Sequence, residues 1–147
     1  MYTIKEFDKK YNKQVNEFII SIFVDEYGFE ECRRELEEQD NYAYIKNGGN
    51  FWIAVNENDD VVGTMALRKH NDEEMELKKL YVRSDYRGKG LSKELYSKAM
   101  DVSKDKKIQR IFLGTYNKLE TAVNFYKRRG FELYDEKDDA IYFELYI

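Results

Sequence analysis

The sequence predicts a mixed α/β fold, a single sheet of about seven strands carrying about four helices, and three observations predict it. Apolar residues recur at helical spacing in some segments and form short strand-like runs in others. Three such runs follow one another with turn residues between them, which suits antiparallel hairpins. Beyond them a strand, an amphipathic helix and a strand suggest a parallel crossover. At 147 residues the chain suits one domain, expected to span residues 1–147 and to bury a real core.

Taken in order, Tyr2–Phe7 alternates weakly and reads as the first strand. Val15, Phe18, Ile19, Ile22 and Phe23 then recur at helical spacing. A second helix is expected over Glu30–Lys46, richer in charge and ended by the Gly48-Gly49 turn. Phe51–Val55 and Val61–Leu67 are apolar runs joined by Asn56-Glu57-Asn58-Asp59-Asp60, which is hairpin-turn chemistry, and Lys69–Glu73 leads into a third strand, Met75–Val82. Leu91, Leu95, Ala99 and Val102 mark a helix face, Ile108–Tyr116 a strand, and Leu119, Ala122, Val123 and Tyr126 another helix that Gly130 stops. Phe131–Tyr134 and Ala140–Tyr146 close the chain as strands around the acidic turn Asp135–Asp139.

With 42% hydrophobic and 16% aromatic residues, the 37% of charged residues coat a folded protein and do not signal disorder. A formal net charge of −4 argues against a general nucleic-acid binder, which needs dense cations to displace counterions from phosphates. The single cysteine, Cys32, forms no intrachain disulfide, the first residues lack the apolar core of a signal peptide, and no run approaches about 18 apolar residues. A soluble, cytoplasmic protein without membrane contact is expected.

One stretch carries chemistry. In Asp85-Tyr86-Arg87-Gly88-Lys89-Gly90-Leu91-Ser92-Lys93, two glycines stand between cations, after a strand and before a helix. A helix start has backbone N–H groups without partners and a partial positive charge, and glycines let an anion approach them. Arg87, Lys89 and Lys93 add full charges. The P-loop string GxxxxGK[ST] is absent, and the dinucleotide fingerprint GxGxxG fails because Lys93 stands where its last glycine belongs. Alone, the stretch also fits a plain basic turn that starts a helix.

Its surroundings decide between the two. The loop, the strand ending Tyr116-Asn117, and the later Asn124-Phe125-Tyr126-Lys127-Arg128-Arg129-Gly130-Phe131 together resemble the Gcn5-related N-acetyltransferase (GNAT) family. Arg87-Gly88-Lys89-Gly90-Leu91-Ser92 is similar to its acyl-CoA motif (Arg/Gln)-x-x-Gly-x-(Gly/Ala), with Ser92 departing from the usual glycine or alanine. The resemblance covers nearly the whole chain and implies the acyl-CoA N-acyltransferase fold, acetyl-CoA as cosubstrate without a metal, and a small-molecule or peptide amine as acceptor. A homodimer is among the assemblies it allows.

The resemblance further implies that Leu80, Tyr81 and Val82 line a gap holding the pantetheine arm, with the backbone N–H of Val82 or a neighbour polarising the thioester carbonyl. Arg87, Gly88, Lys89, Gly90, Leu91, Ser92 and Lys93 would bind the pyrophosphate, and Asn117 would make a polar contact to the pantetheine. Tyr126 matches the tyrosine that protonates the leaving thiolate, a task for a phenol that stays protonated at neutral pH. An ammonium acceptor must lose a proton before it attacks, and Glu76 is the candidate base, with Glu74 the alternative. Simple alternation puts Glu76, Lys78, Leu80 and Val82 on one face, a count that a bulge on this strand would break.

The segment Tyr27–Tyr42 is expected to wall the acceptor site, and Asp25, Glu26 and Asp40 would suit a cationic amine such as a polyamine. Cys32 lacks an activating histidine nearby in sequence, and His70, expected in an exposed turn, leaves no histidine triad or multi-histidine metal site. The rival to an enzyme is a non-catalytic acyl-CoA-binding regulatory module of the same fold.

Overall fold

The computed structural model describes Met1–Ile147. Its seven strands are β1 (Thr3–Glu6), β2 (Asn50–Val55), β3 (Val61–Lys69), β4 (Glu74–Val82), β5 (Arg110–Tyr116), β6 (Glu132–Lys137) and β7 (Ala140–Tyr146). They form one sheet in the order β1-β2-β3-β4-β5-β7-β6, parallel only between β4 and β5. The helices are α1 (Asn12–Phe23), α2 (Arg33–Glu37), α3 (Tyr42–Lys46), α4 (Leu91–Asp105) and α5 (Glu120–Arg128). None is long and apolar enough to cross a membrane.

The helices cover both faces of the sheet, because each has one apolar stripe to remove from water. On one face Val15, Phe18, Ile19 and Ile22 of α1 pack with Leu36 and Tyr44 against Phe51, Ile53 and Ala66. On the other, Leu91, Leu95 and Ala99 of α4 and Tyr126 of α5 pack against Met65, Leu67, Met75, Leu77 and Val82. Full burial of a leucine such as Leu95 is worth about 1.5–3 kcal/mol, so a few such contacts fix where α4 sits. A Cβ on Gly63 would come within 3.1–3.2 Å of Leu91 and Leu95, so the glycine lets α4 lie close on β3.

Two expected elements differ. Glu30–Lys46 is not one helix: α2 and α3 are separate, and asparagines take over the backbone groups at the break. Asn16 Nδ2 donates to Gln39 O at 2.9 Å, Asn12 Nδ2 to the same oxygen at 3.0 Å, and the amide of Asn41 donates to Asn12 Oδ1 at 3.0 Å. Asp135, Glu136 and Lys137 belong to β6 and pair with β7, so the closing turn is only Asp138-Asp139, with Asp138 at φ 56°. The acidic hairpin between β2 and β3 is as expected, with Asn56 Oδ1 accepting from the amides of Asn58 and Asp60, both at 3.0 Å.

Candidate active site

β4 and β5 pair only at Glu74–Arg110, Met75–Ile111 and Glu76–Phe112, and beyond that point they separate. The gap opens into a cleft of about 1080 Å³ between the sheet, the start of α4, α5 and the segment after α1. Its lining includes Glu76, Leu80, Tyr81, Val82, Arg87, Gly88, Gly90, Leu91, Ser92, Lys93 and Tyr126. Lys89 and Asn117 fall outside that lining: the Lys89 ammonium lies 5.9 Å from the Tyr86 ring, and the exposed Asn117 donates its amide to Asp139 O.

A bulge in β4 makes the cleft wall. Thr64 faces Tyr81 and Ala66 faces Lys78, so β4 has two residues where β3 has one. Lys79 takes the extra turn at φ 60°, and the buried Thr64 hydroxyl donates to its carbonyl oxygen at 2.6 Å. The bulge exchanges the faces: Met75 and Leu77 before it, and Leu80 and Val82 after it, all pack with the α4 and α5 side. Glu76 and Lys78 therefore do not share a face with Leu80 and Val82, and simple alternation fails here.

Downstream of the bulge the Arg83 amide donates to Val62 O, which makes Gly63 and Val82 a non-hydrogen-bonded pair. The Val82 N–H then points away from β3, toward the gap that β5 has left. A fixed amide dipole facing a cleft is what a developing oxyanion requires.

At the glycine loop, Gly88 and Gly90 stand at φ 74° and 89°, and a Cβ on either would meet no protein atom within 4 Å. The left-handed backbone explains the glycines, and the open space leaves room for a ligand to reach the main chain. The amides of Gly88–Lys93 donate to no backbone carbonyl, because α4 begins at Leu91 without a preceding helical turn. Arg87 does not reach into this space as a free cation. Its Nε donates to Val82 O at 2.9 Å, and both terminal nitrogens are bonded to Glu26 in the turn after α1. That pairing raises the Arg87 pKa and lowers that of Glu26.

Tyr126 is 6% exposed, its ring set edge-on to Phe125 and Phe131 at 5.4 and 5.5 Å. It is both a packed core tyrosine and a lining residue of the cleft. Burial pushes its phenol well above the ordinary value, so the proton is held throughout the neutral range. Tyr81 also lines the cleft, and burial raises its phenol likewise.

The Glu76 carboxylate is 18% exposed and has three basic neighbours: His70 Nε2 at 3.0 Å, Arg68 at 3.6 Å and Lys78 at 3.9 Å. His70 is 40% exposed, with its ring edge-on to Phe112 at 4.7 Å, so the expected exposure is only part of its setting. Spacing did not reveal the contact with Glu76, since it depends on the antiparallel pairing of Arg68 with Glu76. Glu74 lies outside the cleft lining, bonded to Asn71 at 2.8 Å and Arg110 at 2.9 Å, which lower its pKa in that order.

The acidic acceptor wall is not available in the expected form. Asp25 is paired with Arg33 at 2.8 Å, Glu26 with Arg87, and Asp40 accepts from the Tyr42 amide at 3.1 Å. Cys32 is half-buried, and burial, with Glu31 and Glu35 nearby, pushes its thiol above the ordinary value, which disfavours a nucleophilic thiolate.

Comparison with known proteins joins these features. Residues 16–131 match the model of the acetyltransferase (GNAT) family. The chain is 34% identical over 105 residues to an N-acetylaspartate synthetase of Xenopus tropicalis, a match covering 69% of the chain but only 38% of that protein's length. A GNAT-family acetyltransferase from Staphylococcus aureus Mu50 superposes over 99% of both chains with TM-score 0.87 and 29% identity. The PaiA N-acetyltransferase of Thermoplasma acidophilum, crystallised with coenzyme A, has the same fold at 19% identity, with TM-score 0.82 over 100% of this chain and 99% of its own. With residues 16–131 matching that family's model, the chain belongs to the GNAT acetyltransferase family.

Proposed function

We propose that residues 1–147 form one N-acetyltransferase domain that moves the acetyl group of acetyl-CoA to a primary amine by direct attack in a ternary complex. The observation that carries this reading is the union, in one cleft, of the unpartnered amides of Gly88 and Gly90–Lys93, the inward N–H of Val82 and the buried phenol of Tyr126. The loop amides, with the side chain of Lys93, suit the pyrophosphate of CoA, and Leu80, Tyr81 and Val82 the pantetheine arm. Ser92, small and on the lining, can add a hydroxyl donor.

In the chemical step the neutral amine attacks the thioester carbonyl carbon, the C–N bond forms, and the oxygen gains charge toward the Val82 amide. The C–S bond then breaks, Tyr126 gives its proton to the departing thiolate, and the proton that the nitrogen loses as the amide forms restores the phenol through water in the cleft. The ammonium proton of the acceptor passes to Glu76, directly or through water. The 3.0 Å contact with His70, whose ring reaches solvent, supplies an outlet.

Thiol release from acetyl-CoA with a mixed amine library, with products read by mass spectrometry, tests the proposal. N-acetylated product and its loss in Tyr126→Phe are expected. Tight CoA binding without any transfer would instead support a non-catalytic acyl-CoA-binding module.

A further inference from the structure

The cleft wall beside Glu76 carries more positive charge than its acid can balance. Arg68 and Lys78 both lean on Glu76. Lys79, the next residue, also lines the cleft but has no carboxylate within ion-pair distance and no hydrogen-bond acceptor. Burial pushes its ammonium down to about 8, and the neighbouring charges of Lys78 and Arg68 act in the same direction. Glu35 of α2 opposes the shift but lies beyond pairing distance, and the nearby Cys32 thiol stays protonated. The half-buried cation is therefore unpaired on the side where α2 faces the sheet.

This placement is built into the backbone. Lys79 has φ 60°, unfavourable for any side-chain-bearing residue, and the Thr64 hydroxyl at 2.6 Å from its carbonyl oxygen holds the bulge in place. The remaining acids of the cleft do not offset it: Glu26 is bonded to Arg87, and Glu120 is exposed at the start of α5. A half-buried cation without a partner is costly, and an anion brought by a ligand removes that cost.

We propose that Lys79 holds a carboxylate of the acceptor, so that the acceptor is an amino-carboxylate, a free amino acid, and not a polyamine. The inference rests on the reading of this cleft as an acetyl-transfer site. With its carboxylate on Lys79 and Arg68 nearby, the acceptor presents its amine toward Glu76 and the thioester.

The test compares the initial rates of acetylation of aspartate, glutamate, alanine and lysine with those of their α-carboxamides, in wild type, Lys79→Met and Lys79→Arg. For at least one amino acid, wild type is expected to favour the carboxylate over the amide about 10- to 100-fold in kcat/KM, the range of one charge-assisted contact. Lys79→Met should abolish that preference through KM for the amino acid, with KM for acetyl-CoA unchanged, and Lys79→Arg should keep part of it. Binding of the N-acetylated amino acid to the CoA-loaded wild type, measured by calorimetry against the N-acetylated carboxamide, gives the same comparison without a variant that must fold. Equal use of acids and amides, or a preference that survives Lys79→Met, would overturn the inference and leave acetyl transfer standing. No transfer to any amine by the CoA-bound protein would overturn the acetyl-transfer reading itself.

Discussion

The Thr64 hydroxyl, fully buried in β3, donates to the carbonyl oxygen of Lys79 in β4 at 2.6 Å, at the point where the two strands lose register. This contact fixes the bulge that turns Lys79 into the cleft and sends Val82 back to the α4 side. Thr64→Val keeps the shape but leaves the part-buried Lys79 carbonyl without its donor. A loss of about 1–3 kcal/mol in denaturant unfolding is expected, together with a fall in kcat, because the Val82 amide depends on the same bulge. Unchanged stability and turnover would show that the bulge holds without Thr64.

Gly90 stands at φ 89° facing open space. Gly90→Val should lose about 1–2 kcal/mol of stability from the left-handed backbone and weaken CoA binding by at least about tenfold, since the branched side chain enters the path to the loop amides. Calorimetric titration with CoA reads the second effect, and an unchanged Kd would remove the loop from the cofactor site.

Tyr126→Phe removes only an oxygen from a ring held by Phe125 and Phe131. CoA affinity should be retained while kcat falls about 10²- to 10⁴-fold, the usual weight of general-acid catalysis. Because burial raises the phenol, no alkaline limb of the wild-type pH–rate profile below pH 10 should belong to Tyr126. A kcat within twofold of wild type would assign the proton to water or another group.

Glu26 neutralises Arg87, the one charged side chain that the acyl-CoA motif itself specifies. Glu26→Gln should release Arg87 and tighten CoA binding a few-fold, an effect that salt diminishes. The Glu26 pKa is lowered on folding by the hydrogen bond to Arg87. The stabilisation is therefore present above the ordinary glutamate value of about 4.3 and lost as pH falls through the lower folded value. Both side chains are 36% exposed, so solvent screening holds the effect to about 1 kcal/mol or less. Urea unfolding of both proteins from pH 3 to pH 7 measures it.

Lys79 has the opposite sign. Its folded pKa of about 8 lies below the ordinary lysine value of about 10.4, so the unfolded chain binds more protons between those limits. The cost of the partly desolvated charge is fully present below pH 8 and is relieved as pH rises toward 10. Lys79→Met should be more stable than wild type at pH 7 and lose that part of the pH dependence, whereas equal stability of the two at pH 7 would mean that the ammonium is adequately solvated.

Much of this was legible in the sequence because it depends on local pattern. The helical spacing of Leu91, Leu95 and Ala99 and the glycines at 88 and 90 each have one local cause, burial in one case and positive φ in the other. What escaped depends on contacts distant in sequence. The break between α2 and α3 is made by Asn12 and Asn16 of α1, and the Glu26–Arg87 pair joins residues 61 apart. Glu76 meets His70 because β3 and β4 pair in one register, which periodicity does not specify. The unpaired state of Lys79 appears only once the bulge and its neighbours are in place.

Direct attack in a ternary complex is tested most directly by initial velocities with acetyl-CoA and the acceptor varied together, beside mass spectrometry of protein incubated with acetyl-CoA alone. Intersecting double-reciprocal lines and no acetylated protein are the expected result. Parallel lines with a kinetically competent acetyl group on Cys32 or another side chain would contradict it.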